Sequence, residues 1–247
     1  MKAAFIDFET TGLVATFDKV IEGCVILMEY DENNNLTKLV DMYESFNDPQ
    51  IDIPENIIKI TMITNDLVKG KVLEWSKFNS LIDQADVVVA HNVKFDKSFL
   101  IQQGGYKGIK KYGCSMDMID WKSKHGQDCR KLGHLAFEHG LIAEKSHRAI
   151  DDVKLLIKLL KQKTKGNPEI TYFQEMMGKL NDKMFVIDAI AAPYEKKDLL
   201  KEKGFRWNAQ HKYWTKKVPE SELKEMVGFL TKNVYPLNRY KAEVKEE

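Results

Sequence analysis

The strongest constraint on the fold lies at the start of the chain. Residues 2–8 read as a β-strand, and Phe5, Ile6 and Phe8 make both of its faces apolar. Two acids, Asp7 and Glu9, interrupt that run. Side chains at i and i+2 of a strand share a face, so both carboxylates reach one point in space. Two acids on a strand buried from both sides are costly unless a cation meets them. A solvated polar edge is the plain alternative, and the flanking phenylalanines fit it poorly.

Two later segments carry matching chemistry. DVVVAH, residues 86–91, has the continuous apolar pattern of a buried strand, and Asp96 follows at a helix start. An acid there also favours the helix dipole, so Asp96 taken alone is evenly balanced between the two roles. His91 and Asn92 lie in the turn, where a histidine that bonds backbone is the simpler reading. In HRAIDD, residues 147–152, helical spacing separates the two aspartates. Asp152 shares a face with Leu155, Leu156 and Leu159 and is expected to point toward the sheet. Asp151 falls beside Lys154 and Lys158 and is expected to face water. His147 precedes the first turn of that helix. With an ordinary pKa of about 6.5 it suits a general base at neutral pH, although alone it is as easily a surface histidine.

The intervening sequence reads as β-β-β-α-β-α-α-α, an α/β layout with an early antiparallel meander. Strands are expected at 20–29 and 37–46, with a hairpin loop at 31–35. Helices are expected over 54–68 (broken near Thr61), 75–85, 95–103, 131–141 and 149–163. The polar, Gly- and Pro-marked stretch from residue 163 opens a linker. The predicted domains are 1–163, a linker at 164–182 that is helical in part, and a small α+β domain at 183–247. In that last part a strand (185–191), a helix (194–204), a hairpin around 208–211 and a helix from Pro219 are expected. A chain of 247 residues has room for a large domain with a small appendage.

Phosphodiester cleavage needs an activated water and relief of phosphate charge, and two divalent ions roughly 4 Å apart supply both. Hard cations such as Mg²⁺ or Mn²⁺ take oxygen ligands. A site of about four carboxylates with few nitrogens or sulfurs is what Asp7, Glu9, Asp96 and Asp152 offer.

At these residues the chain resembles the DEDDh (DnaQ-like) 3′→5′ exonucleases of the ribonuclease H-like fold. DxE followed by TTG matches Asp7–Gly12, HNxxFD matches His91–Asp96, and a histidine five positions before an aspartate matches His147 and Asp152. An Ile-Thr pair between the first two motifs matches Ile63-Thr64. The resemblance covers residues 1 to about 162, and the layout through residues 113–126 looks closest to the exonuclease X-like branch. It implies a mixed sheet flanked by helices and two divalent cations, Mg²⁺ or Mn²⁺. Asp7 would contact both, Glu9 and Asp152 the one carrying the attacking water, and Asp96 the other. His147 would take the proton from that water. Thr10, Thr11 and Gly12 would contact the terminal nucleotide through backbone and hydroxyls, with Leu13 as a wedge. Ile63, His91, Asn92 and Phe95 join the nucleic-acid contacts. The implied partners are 3′ ends of DNA or RNA, single-stranded and DNA first, released as nucleoside 5′-monophosphates. The resemblance also allows a polymerase proofreading subunit or an RNA-trimming exoribonuclease. Some relatives dimerise, so a homodimer stays open.

The formal net charge is +1, so any attraction for phosphate must come from local patches. One such patch is 205–218, where Arg206, Trp207, Lys212, Tyr213, Trp214 and Lys216 mix aromatic and basic groups, the chemistry of single-strand binding. A small domain that uses its tryptophans as core is an equal alternative. Cys114, His125, Cys129, His134 and His139 fall close together but fit no common zinc signature. Three cysteines with no CxxC pairing point to reduced thiols and a cytoplasmic protein. No apolar run is long enough for a signal peptide or a membrane span.

Overall fold

A computed structural model describes residues 1–142, 148–235 and 242–246. The chain divides into two compact units, residues 1–180 and 181–247.

The first unit is built on a five-stranded sheet. Strands β1 (Lys2–Thr10), β2 (Val20–Tyr30) and β3 (Leu36–Phe46) form the antiparallel meander expected from sequence. After the short helices α1 (Glu55–Thr61) and α2 (Asn65–Val68) and helix α3 (Trp75–Asp83), β4 (Val87–Ala90) joins β1 in parallel. Helix α4 (Val93–Gln102) leads to β5 (Lys111–Cys114), parallel to β4, giving the order β3-β2-β1-β4-β5. Helices α5 (Leu132–Phe137), α6 (Ala149–Leu160) and α7 (Tyr172–Asn181) complete the unit.

Alternation along β1 feeds two cores, one on each face of the sheet. Ala3 and Phe5 point to a layer with Val153, Leu156 and Leu160 of α6 and Tyr172, Phe173 and Met176 of α7. Ala4, Ile6 and Phe8 point to the other layer, with Phe78 and Ile82 of α3 and Phe99 and Leu100 of α4. Phe5 and Ile6 are wholly buried. A Phe5→Ala change would cost about 3–5 kcal/mol, from lost burial plus the cavity left behind. The break near Thr61 is present: Met62 is left-handed (φ 59°), and Thr64 accepts from the Leu67 N–H to start α2.

One element departs from the sequence reading: β5 falls in a stretch where no strand is expected. Residues 164–182, expected as a linker that is helical in part, carry α7, whose buried Tyr172, Phe173, Met176 and Met177 complete the α6-side core. That apolar face, not the polar 163–168 stretch before it, decides where the segment goes.

The second unit is a four-stranded antiparallel sheet in the order β7-β8-β6-β9, with β6 Met184–Ala189, β7 Arg206–Asn208, β8 Tyr213–Pro219 and β9 Ala242–Glu246. Helices α8 (Lys197–Glu202) and α9 (Glu220–Phe229) bury Leu200 and Met226 against Ile187, Phe205 and Val218. The strand-helix-hairpin-helix order follows the sequence expectation; β9 does not feature in it. No helix among the described residues is long and apolar enough to cross a membrane.

Candidate metal centre

β1 is longer on one side than the other. β2 pairs with it along its whole length, whereas β4 reaches only Ala3–Phe5. The chain leaves β4 at Ala90, turns through His91 and Asn92 and enters α4. The far half of β1 therefore faces the start of α4 rather than another strand. Here Asp96, in the first turn of α4, accepts the Phe8 backbone N–H through Oδ1 at 3.2 Å.

Asp7 and Glu9 lie on the face of β1 that carries Ala3 and Phe5, and α6 packs on that face. The first turn of α6 brings Asp152 to them. Ligand oxygens of Asp7, Glu9 and Asp152 all lie within 4.8 Å of one another. Asp96 stands beside this trio, nearly fully buried.

The electrostatics of the group are those of crowded acids, with the Arg148 guanidinium pulling only weakly the other way on Glu9. Burial raises Asp7 well above the ordinary carboxylate range, and the Asp96, Glu9 and Asp152 carboxylates push it further. Glu9 is pushed up to about 8, by burial first and then by Asp152 and Glu22. Burial takes Asp96 to about 7 despite the Phe8 hydrogen bond, which pulls the other way. Oxygen donors only, crowded and mutually repelling, fit hard divalent cations such as Mg²⁺ or Mn²⁺.

Glu22 has no place in the sequence reading. It sits opposite Glu9 in the β1–β2 register, nearly buried, and accepts the Arg148 guanidinium and the Ala149 N–H at the start of α6. The available signal was an acid inside a strand otherwise rich in apolar residues, beside an arginine that directly follows His147.

The loop after β1 is held by its own polar groups. Thr10 Oγ1 donates to the Gly12 carbonyl at 2.5 Å, and Thr11 Oγ1 accepts from the Lys19 N–H at 2.9 Å. Both hydroxyls thus take part in holding the loop. A Cβ on Gly12 would run into the Asp18 carboxylate, so a larger residue there must push that side chain off the Val14 N–H it accepts. Leu13 is 82% exposed, and Phe17 on the same loop is 80% exposed.

Three of the other expected contacts, Ile63, His91 and Phe95, are engaged within the fold. Ile63 is fully buried with Ile21, Ile53 and Val68, too deep to touch a nucleic acid. His91 donates from Nε2 to the Arg130 carbonyl (2.7 Å) and accepts at Nδ1 from Ser115 Oγ (2.8 Å), leaving neither nitrogen for a ligand. Burial lowers its pKa, which keeps the ring neutral. Phe95 is half-buried against Phe99, with ring centroids 4.9 Å apart, while Asn92 is exposed. His147 lies outside the described residues. The cysteine and histidine group forms no metal cluster among the described residues. His125 pairs with Glu175 at 2.7 Å, and His139 with the Leu135 carbonyl and the Tyr172 hydroxyl.

A five-stranded mixed sheet of this order, flanked by helices and carrying acids at the end of its central strand, defines the ribonuclease H-like class. Residues 4–160 match the exonuclease family RNase_T, and residues 187–229 match a domain of unknown function. Over 162 residues the chain is 34% identical to a PolC-type DNA polymerase III of Pediococcus pentosaceus, covering 61% of this chain and 10% of that one. It thus spans about a tenth of that relative's length. Escherichia coli exonuclease I in complex with a dA16 oligonucleotide has a similar fold (TM-score 0.58, 15% identity, 88% of this chain and 63% of that one). So does the nuclease domain of 3′hExo, a DEDDh family member bound to rAMP (TM-score 0.51, 20% identity, 64% and 88%). The chain belongs to the exonuclease family.

Proposed function

We propose that this chain is a metal-dependent 3′→5′ exonuclease that shortens single-stranded DNA ends to nucleoside 5′-monophosphates. The observation that carries the reading is the meeting of Asp7, Glu9 and Asp152 within 4.8 Å, with Asp96 buried beside them. Asp7 would hold both of two divalent cations, Glu9 and Asp152 one of them, and Asp96 the other. Bound there, such cations relieve phosphate charge and make a water more acidic. His147 would take a proton from the attacking water, and the bond from phosphorus to the 3′ oxygen of the preceding nucleotide would break. Backbone groups of Thr10–Gly12 and the side chain of Leu13 seat the terminal nucleotide.

This work is assigned to residues 1–163, and residues 183–247 are assigned an accessory role. Two of the relatives' names, a DNA polymerase and a nuclease bound to a deoxyoligonucleotide, favour DNA, and the nuclease domain bound to rAMP keeps RNA as the second substrate class. The free cysteines fit a reducing cytoplasm. The test is digestion of matched 5′-labelled single- and double-stranded DNA and RNA with Mg²⁺ or Mn²⁺. Stepwise shortening that Asp7→Ala abolishes supports the reading; no shortening of any substrate ends it.

The PolC-type relatives favour a second reading, proofreading beside a polymerase. It requires faster removal of a mismatched than of a paired primer terminus. Equal rates would leave the free exonuclease.

A further inference from the structure

We infer that the β7–β8 hairpin of the C-terminal unit binds single-stranded nucleic acid, with Trp207 as a stacking platform and Arg206 and Lys212 as phosphate contacts. The ligand class rests on the nucleic-acid reading above; the surface rests on its own features.

The first feature is charge. From Lys203 to Lys217 the chain carries five basic residues and no acid, although the whole sequence is balanced at 38 basic and 37 acidic residues. Two lysines of this unit outside the stretch lie beside acids, Lys201 with Asp198 and Lys245 with Glu243. Arg206 and Lys212 form no ion pair among the described residues. Lysines that served solubility alone would not need their acids removed.

The second feature is the placement of the aromatics. Phe205 is buried and anchors the hairpin to the unit's core. Trp214 is half-buried against the same core. Trp207 stands directly across from Trp214 in the register, ring centroids 5.5 Å apart at 63°, yet is 51% exposed. The core holds without Trp207, which leaves a large flat surface in water on the edge strand that also carries Arg206, whose side chain leaves the opposite face, so that a strand wrapped over the edge meets both. Base stacking on aromatics combined with lysine and arginine contacts is how single strands are held without sequence preference.

The third feature is rigidity. The Asn208 side-chain oxygen accepts the Gln210 and His211 N–H groups, and the Asn208 carbonyl accepts from Lys212 N. The tip is thus set before any ligand arrives, which lowers the ordering cost of binding. An acidic peptide would explain the cations but not the exposed indole.

The test uses the full chain in EDTA, with a fluorescein-labelled oligothymidylate and a duplex of equal length, read by anisotropy. Trp207→Ala should weaken single-strand binding by about tenfold, with Trp207→Phe recovering much of it. Arg206→Gln with Lys212→Gln should flatten the log–log salt dependence by about 1.4. Thermal melts of each variant control for folding. Wild-type affinity in Trp207→Ala, or an equal loss on duplex and single strand, overturns the proposal. Because the assay excludes cleavage, the two readings fail separately. A chain that binds through the hairpin but cuts nothing sinks only the exonuclease reading. One that cuts but ignores Trp207 sinks only this one.

Discussion

The Glu22 carboxylate on β2 holds the Arg148 guanidinium, with Nη2 at 2.7 Å and Nε at 3.0 Å from Oε1, across 126 residues of sequence. Its other oxygen accepts the Ala149 N–H at 3.0 Å. This contact fixes the first turn of α6, three residues before Asp152, and ties it to the strand beside Glu9. Arg148→Ala leaves Glu22 buried next to the acid trio without its cation. Losing one partner of a buried pair costs about 3–5 kcal/mol, and partial exposure of the guanidinium places this case near the lower bound. The Mg²⁺ concentration needed for half-maximal activity should rise several-fold as well. Denaturant melts and a Mg²⁺ titration check both effects; a variant that melts and titrates like wild type would show the pair to be idle.

The acids give the metal-free protein an unusual pH dependence. Their folded-state pKa values lie above the ordinary carboxylate range, Glu9 at about 8 and Asp96 at about 7, with Asp7 raised too. Between the unfolded and folded values the native state binds more protons than the unfolded one. Stability is therefore full at acid pH and falls as pH rises through about 8. In EDTA the denaturation midpoint should drop from pH 5 to pH 8.5, and Mg²⁺ should restore more at pH 8.5 than at pH 6. Asp7→Asn removes part of the repulsion and should flatten that slope while abolishing cleavage.

How much of this was legible depends on how local each signal is. β1, β2, β3 and α6 were readable because their periodicities run over nine or more residues. Helical spacing turned Asp152 toward the sheet, but the expected contrast with a water-facing Asp151 is absent, both residues being half-buried. β5 was not readable: it has four residues, and only Gly113 and Cys114 are buried. What makes it a strand is pairing with β4, a non-local cause. β9 likewise exists through its pairing with β6. Ile63 carried the family's motif, but its burial with Ile21 and Ile53 depends on how α1 and α2 fold back over β2. Glu22 was visible as an odd acid in an apolar strand, but its partner lay beyond reach of any local pattern.

Gln103 offers a test of the loop that follows β1. From the C-cap of α4 its Nε2 donates to the Asp18 carbonyl at 2.6 Å, and its Oε1 accepts the Val20 N–H at 3.0 Å. The loop bearing Leu13 and Phe17 is thereby clamped at its far end. Gln103→Ala should raise KM for an oligonucleotide several-fold and leave the Mg²⁺ requirement unchanged, since no acid moves. Steady-state kinetics at saturating Mg²⁺ decide it; a shift in metal requirement would place Gln103 in a different role.

Asp96 separates charge from scaffold. Its Oδ1 receives the Phe8 N–H in a buried position, so the side chain both closes the free edge of β1 and adds charge to the site. Asp96→Asn can keep an oxygen on Phe8 while removing the charge. Asp96→Ala removes both, and a buried N–H left without a partner costs about 1–3 kcal/mol. The asparagine variant should therefore melt at or above the wild-type temperature in EDTA at pH 8, yet lose activity by about a hundredfold or more if the charge serves the two-cation chemistry. The alanine variant should lose both stability and activity. Equal melting of the two would mean that the Phe8 contact holds nothing, and wild-type digestion by Asp96→Asn would remove Asp96 from the metal-binding set.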